Sequence, residues 1–210
     1  MNLLYPDLQW RWLPTMLGQA LLGSLIAGGY GIIHDQITYS ISPEYFTRLK
    51  FAQFHYADFG FPPRVFVGEI GFLATWWVGF LAGWFISRVA VPAFPLPVAV
   101  RHASRAFLTI LAFALTASII GYLLGLLRRS NSDFSGWQEF ATNQGILDLP
   151  SFVRVAYIHN AGYFGGLVGL IAAIVHLKRR KRIDEAFALL PKTVPATESE
   201  TTSQIKATES

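Results

Sequence analysis

Four long apolar stretches dominate the pattern of this chain, and polar segments separate them. They cover residues 13–33, 65–86, 106–127 and 155–177. About 20 helical residues cross the hydrocarbon core of a bilayer, so each stretch is long enough to span it. A backbone in lipid must satisfy its own hydrogen bonds, and no stretch shows the alternation of a barrel strand. The pattern predicts an all-α membrane four-helix bundle within residues 1–190.

The polar segment after the first stretch, residues 34–64, predicts a long outer loop that contains a short helix over residues 43–56. Ser42 is a suitable N-cap, Pro43 suits the first helical position, and Glu44 favours the first turn. The aromatic residues of this segment would place the helix at the membrane surface. Glu44 and Arg48 are four residues apart, a spacing at which they can form an ion pair.

Two further polar segments carry simpler predictions. The segment over residues 87–105 contains Pro92, Pro95 and Pro97, which favours an extended loop over a helix. Residues 191–210 are rich in Thr, Ser and Glu and have little to bury, so we expect a disordered tail.

Composition agrees with a membrane protein and excludes several classes of function. The chain is 52% hydrophobic and 14% charged, against about 25% charged in soluble proteins. It has no cysteine, which excludes disulfides, Cys-ligated zinc, thiol catalysis and haem attached through Cys. The net charge of +4 comes largely from the basic run at 178–182. That run follows an apolar stretch and is typical of a membrane anchor, so the predicted partner is the lipid bilayer and not nucleic acid.

Lysine and arginine predict the orientation in the membrane. If the chain starts in the cytoplasm, the cytoplasmic segments hold eleven of these residues and the outer segments hold six. The positive-inside rule then places both ends of the chain in the cytoplasm. An alternative stays open for the first stretch, which could be a cleaved signal peptide with Ala27 and Gly29 near the cleavage site.

Glycines at four-residue spacing predict close helix packing. They occur in the second, third and fourth stretches, and small residues at this spacing let helix backbones approach each other. They could pack inside one bundle, or form the face of a homo-oligomer or of a complex with another membrane protein. The residues are Gly79, Gly83, Gly121, Gly125, Gly162, Gly165, Gly166 and Gly169.

Polar residues gather at the outer ends of three stretches. Glu69 is the one Asp, Glu, Lys or Arg within the four stretches, and an intramembrane carboxylate is costly unless it is neutralised, paired or ligated. His159 lies at the same depth, and His34 and Asp35 close the first stretch. We therefore expect these four residues to form a functional surface. Five further residues, in the outer loop or beside His159, are of second rank: Glu44, Arg48, His55, Asp58 and Asn160.

One segment carries a family resemblance. The residues His34-Asp35-Gln36-Ile37-Thr38, followed by Ser42-Pro43-Glu44-Tyr45-Phe46-Thr47, resemble a segment of multi-span bacterial membrane proteins that have no assigned activity. The resemblance implies a bacterial inner-membrane location. It implies no site residues, because that family offers none to transfer.

The outer surface supports several hypotheses. Imidazoles and carboxylates are ligands for a divalent transition metal, so His34, Glu69 and His159 could bind zinc, iron, copper or manganese, with Asp35 or His55 as a further ligand. Alternatively, the protein is a non-catalytic assembly or interaction subunit of a membrane complex. A haem protein would use paired histidines, with His34 and His159 as an outer axial pair and His102 and His176 as an inner one. A small transporter would use Glu69. Serine nucleophile and nucleotide-binding motifs do not occur.

Overall fold

The computed structural model describes residues 9–131 and 134–188, and within these ranges it contains helices and no strands. Four of the helices are long and apolar enough to cross a membrane. They are α1 (Leu13–Ile41), α3 (Pro63–Ala90), α4 (Leu96–Asn131) and α6 (Leu149–Ala188). The predicted all-α bundle of four spans is confirmed. The predicted tail at 191–210 lies outside the described residues.

Two short helical segments lie at one end of the bundle, hereafter the loop end. The first, α2, covers residues 43–53, in the connection between the first two spans where the sequence predicts a helix. It consists of an α-helical turn (Pro43–Tyr45), a π-helical stretch (Phe46–Lys50) and a further α-helical turn (Phe51–Gln53). The second is α5 (Gln138–Gln144). Ser42 precedes α2 as expected, but its side chain makes no capping hydrogen bond, so that detail of the prediction is wrong.

The first span is longer than the apolar pattern indicates. Residues 34–41 continue α1 by two turns and do not form a loop. Side chains of these turns bind the start of α3: Arg64 donates to Gln36 Oε1 at 3.3 Å and to Ser40 Oγ at 3.2 Å, and Gln36 Nε2 donates to the Arg64 carbonyl at 2.7 Å. Residues 34–41 lack the apolar pattern of the span, and these polar contacts support the helix instead. His34 and Asp35 therefore lie on a continuous helix and not in a loop.

The loop between the second and third spans is short. α3 continues to Ala90 and α4 begins at Leu96, so residues 91–95 connect them. The prediction of an extended loop over 87–105 is therefore wrong. Pro95 and Pro97 stand at the beginning of α4, where the missing amide hydrogen is harmless because the first-turn amides have no partner within the helix.

Glycines set the distance between helices within two antiparallel pairs, α1 with α3 and α4 with α6. A Cβ added to Gly31 would lie 2.1 Å from the Gly71 carbonyl oxygen, and one added to Gly79 would lie 2.1 Å from that of Gly23. Any side chain at these positions would therefore push the backbones apart. Of the eight predicted glycines, Gly166 has no atom of another helix within 4 Å of a built Cβ. The other seven pack inside the bundle.

The two helix pairs meet in two apolar clusters. The cluster at the loop end includes Tyr45 and Phe46 from α2, Val67 from α3, and Phe152 and Val155 from α6. The cluster at the opposite end joins α3, α4 and α6 through residues that include Ile86, Phe107 and Leu177. The loop-end cluster holds α2 against the helices that carry the polar residues.

Candidate metal centre

A buried acid and a buried histidine from two different helices meet at the loop end. Asp35, in the last two turns of α1, is 5% exposed, and His159 of α6 is 3% exposed. His159 Nε2 lies 3.1 Å from Asp35 Oδ1. Burial of either group without a partner would be costly, so this contact ties α1 to α6 across the bundle.

The second nitrogen of His159 fixes the chemistry of the first. His159 Nδ1 lies 3.0 Å from the Val155 carbonyl oxygen, one turn earlier on α6. A carbonyl oxygen only accepts hydrogen bonds, so Nδ1 carries a hydrogen. In a neutral imidazole, Nε2 would then carry a lone pair that points at the Asp35 carboxylate. Two such electron-rich atoms repel each other. A proton or a cation must therefore lie between Nε2 and Oδ1.

His34 completes a group of three metal-ligating side chains. One ligand atom from each of His34, Asp35 and His159 lies within 4.8 Å of the other two. The two imidazole rings meet edge to face with centroids 4.9 Å apart. Tyr30, one turn before His34, holds that ring weakly through a 3.4 Å contact between its hydroxyl and His34 Nδ1.

The distance between His159 and Asp35 suits a metal ion bound at adjacent coordination positions, whereas the group of three spans up to 4.8 Å and would have to close by about 0.6 Å around one ion. Two ligand atoms that each lie about 2.1 Å from an ion are about 3.0 Å apart at a right angle and about 3.4 Å apart at the tetrahedral angle. The observed 3.1 Å between His159 Nε2 and Asp35 Oδ1 falls between these values. Donation from Nδ1 to a backbone carbonyl is also the usual way in which proteins orient a metal-binding histidine.

Aromatic side chains enclose His159. The Tyr45 ring stacks on the imidazole at a centroid distance of 4.8 Å and an interplanar angle of 25°. Phe46, which is fully buried, and Tyr163 approach the ring edge-on at 6.2 Å. Water is largely excluded on these sides, which strengthens the attraction between a cation and Asp35.

Burial affects two ionisable groups of α2 above the site. It raises the pKa of the Tyr45 phenol well above the ordinary value, so the phenol stays protonated at physiological pH. It lowers the pKa of Lys50, an effect that attraction by Asp35 partly opposes. The Lys50 ammonium lies 5.8 Å from the centroid of the Tyr45 ring. The neutral Tyr45 ring thus covers His159, and the Lys50 ammonium lies near the Tyr45 ring.

Glu44 attaches this cover to the helix that carries His159. Its carboxylate accepts hydrogen bonds from the backbone amides of Leu147 at 3.1 Å and Asp148 at 2.8 Å, directly before α6 begins. Asp148 caps α6 through the Ser151 amide at 3.2 Å. Gly145, in the left-handed conformation at φ 62°, ends α5 and turns the chain toward these amides. The Glu44 carboxylate therefore serves α6, and no ion pair with Arg48 forms.

The structure distributes the other predicted site residues away from the group of three. Glu69 lies on α3; its Oε2 atom is buried without a hydrogen-bond partner among the described residues, and it does not join His34, Asp35 and His159. The remaining second-rank residues are exposed: Arg48, His55, Asp58 and Asn160. His55 Nδ1 bonds the Ala52 carbonyl, and Asp58 accepts from the Gly60 amide, so both serve their own loop.

Sequence reasoning missed the residues that support the site. Tyr30, Val155 and Tyr163 each lie one helical turn from His34 or His159, and that four-residue spacing was the available signal. Tyr45 and Phe46 offered no such signal in the sequence, because their position over His159 depends on how α2 folds back across the bundle.

The histidine arrangement does not favour haem at the loop end. The rings of His34 and His159 are in edge-to-face contact, which leaves no space for a porphyrin between them. His102 and His176, the other proposed pair, both line one groove at the opposite end of the bundle.

Comparison with protein-family models, with functionally curated proteins and with solved structures yields no match, so the chemistry of this site is argued from its own geometry.

Proposed function

We propose that this protein binds a divalent transition metal ion through His34, Asp35 and His159. One observation carries the proposal: His159 Nδ1 bonds a backbone carbonyl oxygen, and its Nε2 lies 3.1 Å from the Asp35 carboxylate beside His34, so the contact needs a proton or a cation between the two groups. A metal ion satisfies both groups at once. Two imidazoles and one carboxylate suit zinc, manganese or iron(II), with further positions open to water or a substrate.

The location of the site is part of the proposal. The excess of Lys and Arg on one side of the bundle supports an orientation with both ends of the chain in the cytoplasm. The loop end, and with it the metal ion, then faces the outside of a bacterial inner membrane. Alkaline phosphatase fused after residue 188 is expected to be inactive, and fused after Gln53 active. The opposite pattern would invert the orientation.

The test is metal content of the full chain, purified without a histidine tag and measured by elemental mass spectrometry after reconstitution with each metal. We expect about one ion per chain. Asp35→Asn and His159→Asn remove a ligand and should each weaken binding at least about 100-fold, since loss of a mere supporting hydrogen bond costs 10–100-fold.

Matched controls exist in the exposed loop. Asp58→Asn and His55→Asn make the same chemical changes outside the site, and both should leave the metal content unchanged. Glu69→Gln tests whether that carboxylate contributes a further ligand. If the wild-type chain binds no metal, or if the control variants lose it equally, the metal proposal is refuted. The Asp35–His159 contact would then be a protonated structural link between helices, and the interaction-subunit hypothesis would take its place.

A further inference from the structure

A groove with a basic rim opens between α4 and α6 at the end of the bundle opposite the metal site. It has a volume of about 420 Å³. Its floor includes the buried side chains of Ala106, Ala173 and Leu177. Its polar wall has no carboxylate and consists of His102, Arg105, Thr109 and His176.

Further charge surrounds this groove. Arg180, one turn beyond His176 on α6, lies close enough to His102 to interact with it electrostatically, as do the cation Arg105 and the acid Asp184. The basic run at 178–182 begins directly after the groove. The local charge is therefore positive, and a ligand that fits it must be anionic.

An apolar hollow of about 600 Å³ also lies between α4 and α6, nearer the middle of the bundle. The groove and the hollow together are hereafter called the α4–α6 seam. Its α4 wall includes Phe113 and Ile120, and its α6 wall includes Phe164 and Val168. These residues follow Thr109 and Ala172 of the first groove at steps of three to four residues, so both hollows lie on one face of the α4–α6 pair. Cationic groups thus lie at one end of this face, and an apolar hollow lies farther along the same two helices.

We propose that the α4–α6 seam binds an anionic phospholipid of the cytoplasmic leaflet. The phosphate-containing headgroup is bound by Arg105 and His176, and an acyl chain lies in the apolar hollow between Phe113 and Phe164. The charge of the groove favours a headgroup with net negative charge over a zwitterionic one. The leaflet follows from the orientation proposed above, because lipids of the cytoplasmic face reach this end of the bundle.

The experiment compares lipids that share their acyl chains. The full chain in detergent is mixed with dioleoyl phosphatidylglycerol or dioleoyl phosphatidylcholine, and native mass spectrometry counts the lipids retained. Phosphatidylglycerol should be retained in about 1:1 ratio and should raise the melting temperature. A parallel sample with inorganic phosphate alone should gain neither a retained ligand nor thermal stability, because the acyl chain supplies part of the binding.

Two variants locate the site. Arg105→Gln removes one cation from the groove and should weaken phosphatidylglycerol binding about fivefold. Arg101→Gln removes the same charge one turn earlier, at an exposed position outside the groove, and should leave binding unchanged. Melting of both variants without added lipid checks that they fold. Equal retention of the two lipids, equal losses in the two variants, or full stabilisation by inorganic phosphate would each overturn the proposal.

Discussion

Substitution of Glu44 by Gln should loosen α2 from α6. The Glu44 carboxylate accepts hydrogen bonds from two backbone amides, those of Leu147 and Asp148. Glu44 Oε2 accepts from both amides, so a glutamine oxygen at that position can keep both hydrogen bonds, but both lose their charge and the NH₂ group then faces the Leu147 amide in place of Oε1. The negative charge near the start of α6 is lost too.

The magnitude follows from these contacts. A hydrogen bond to a charged group contributes about 1.5–3 kcal/mol against about 0.5–1.5 kcal/mol for a neutral one, so the two bonds together lose about 2 kcal/mol, and an acid near a helix N-terminus adds about 0.3–1 kcal/mol. Glu44 is half-exposed, which reduces both contributions, so the free energy of unfolding should fall by about 2 kcal/mol. For a chain of 210 residues this corresponds to a melting temperature lower by about 4–8 °C.

The assay is thermal unfolding in detergent followed by circular dichroism, together with the rate of metal dissociation. Dissociation should become faster, because Glu44 holds Tyr45 over His159. Glu139→Gln is the matched control: Glu139 is exposed in the first turn of α5, so its neutralisation removes a helix N-terminal charge but no hydrogen bond to another helix, and should lower the melting temperature by no more than about 2 °C. If the two variants have the same melting temperature, the hydrogen bonds of Glu44 do not hold α2 against α6, and the reasoning fails.

Two further predictions concern helix packing and a buried charge. Gly31→Ala places a Cβ 2.1 Å from the Gly71 carbonyl oxygen, so it should lower the free energy of unfolding by about 1–3 kcal/mol. Gly29→Ala is the control and should not lower it, because a Cβ there has nothing within 4 Å. Equal melting temperatures of the two variants would refute the close contact. Arg154 is 8% exposed and its Nε and Nη2 atoms have no acceptor among the described residues, so Arg154→Met should raise the free energy of unfolding by about 1–3 kcal/mol. Destabilisation in the same melting assay would mean that the guanidinium is stabilised where it lies, by the Tyr122 ring 5.7 Å away or by another partner.

The extent to which the site was predictable differs from residue to residue. His34, Asp35 and His159 stand out in the sequence because titratable groups are rare in so apolar a chain, and they are the three that meet. Glu69 stands out for the same reason but lies apart from them, because depth along a helix can be estimated from sequence and the direction in which the helix faces cannot. Residues 34–41 were expected to be a loop because their support comes from Arg64, 28 residues away from Gln36 along the chain.

The sequence by itself determined the number of spans, because burial in lipid requires about 20 apolar residues wherever a helix crosses, a local property of the chain. It also determined that glycines mark close helix contacts. The tertiary structure decided which helices those glycines join, with α1 against α3 and α4 against α6. It also decided that α2 folds over His159 and that His159 Nε2 meets Asp35, 124 residues away along the chain. Those outcomes depend on the rotation of each helix about its axis, which side-chain packing across the whole bundle fixes.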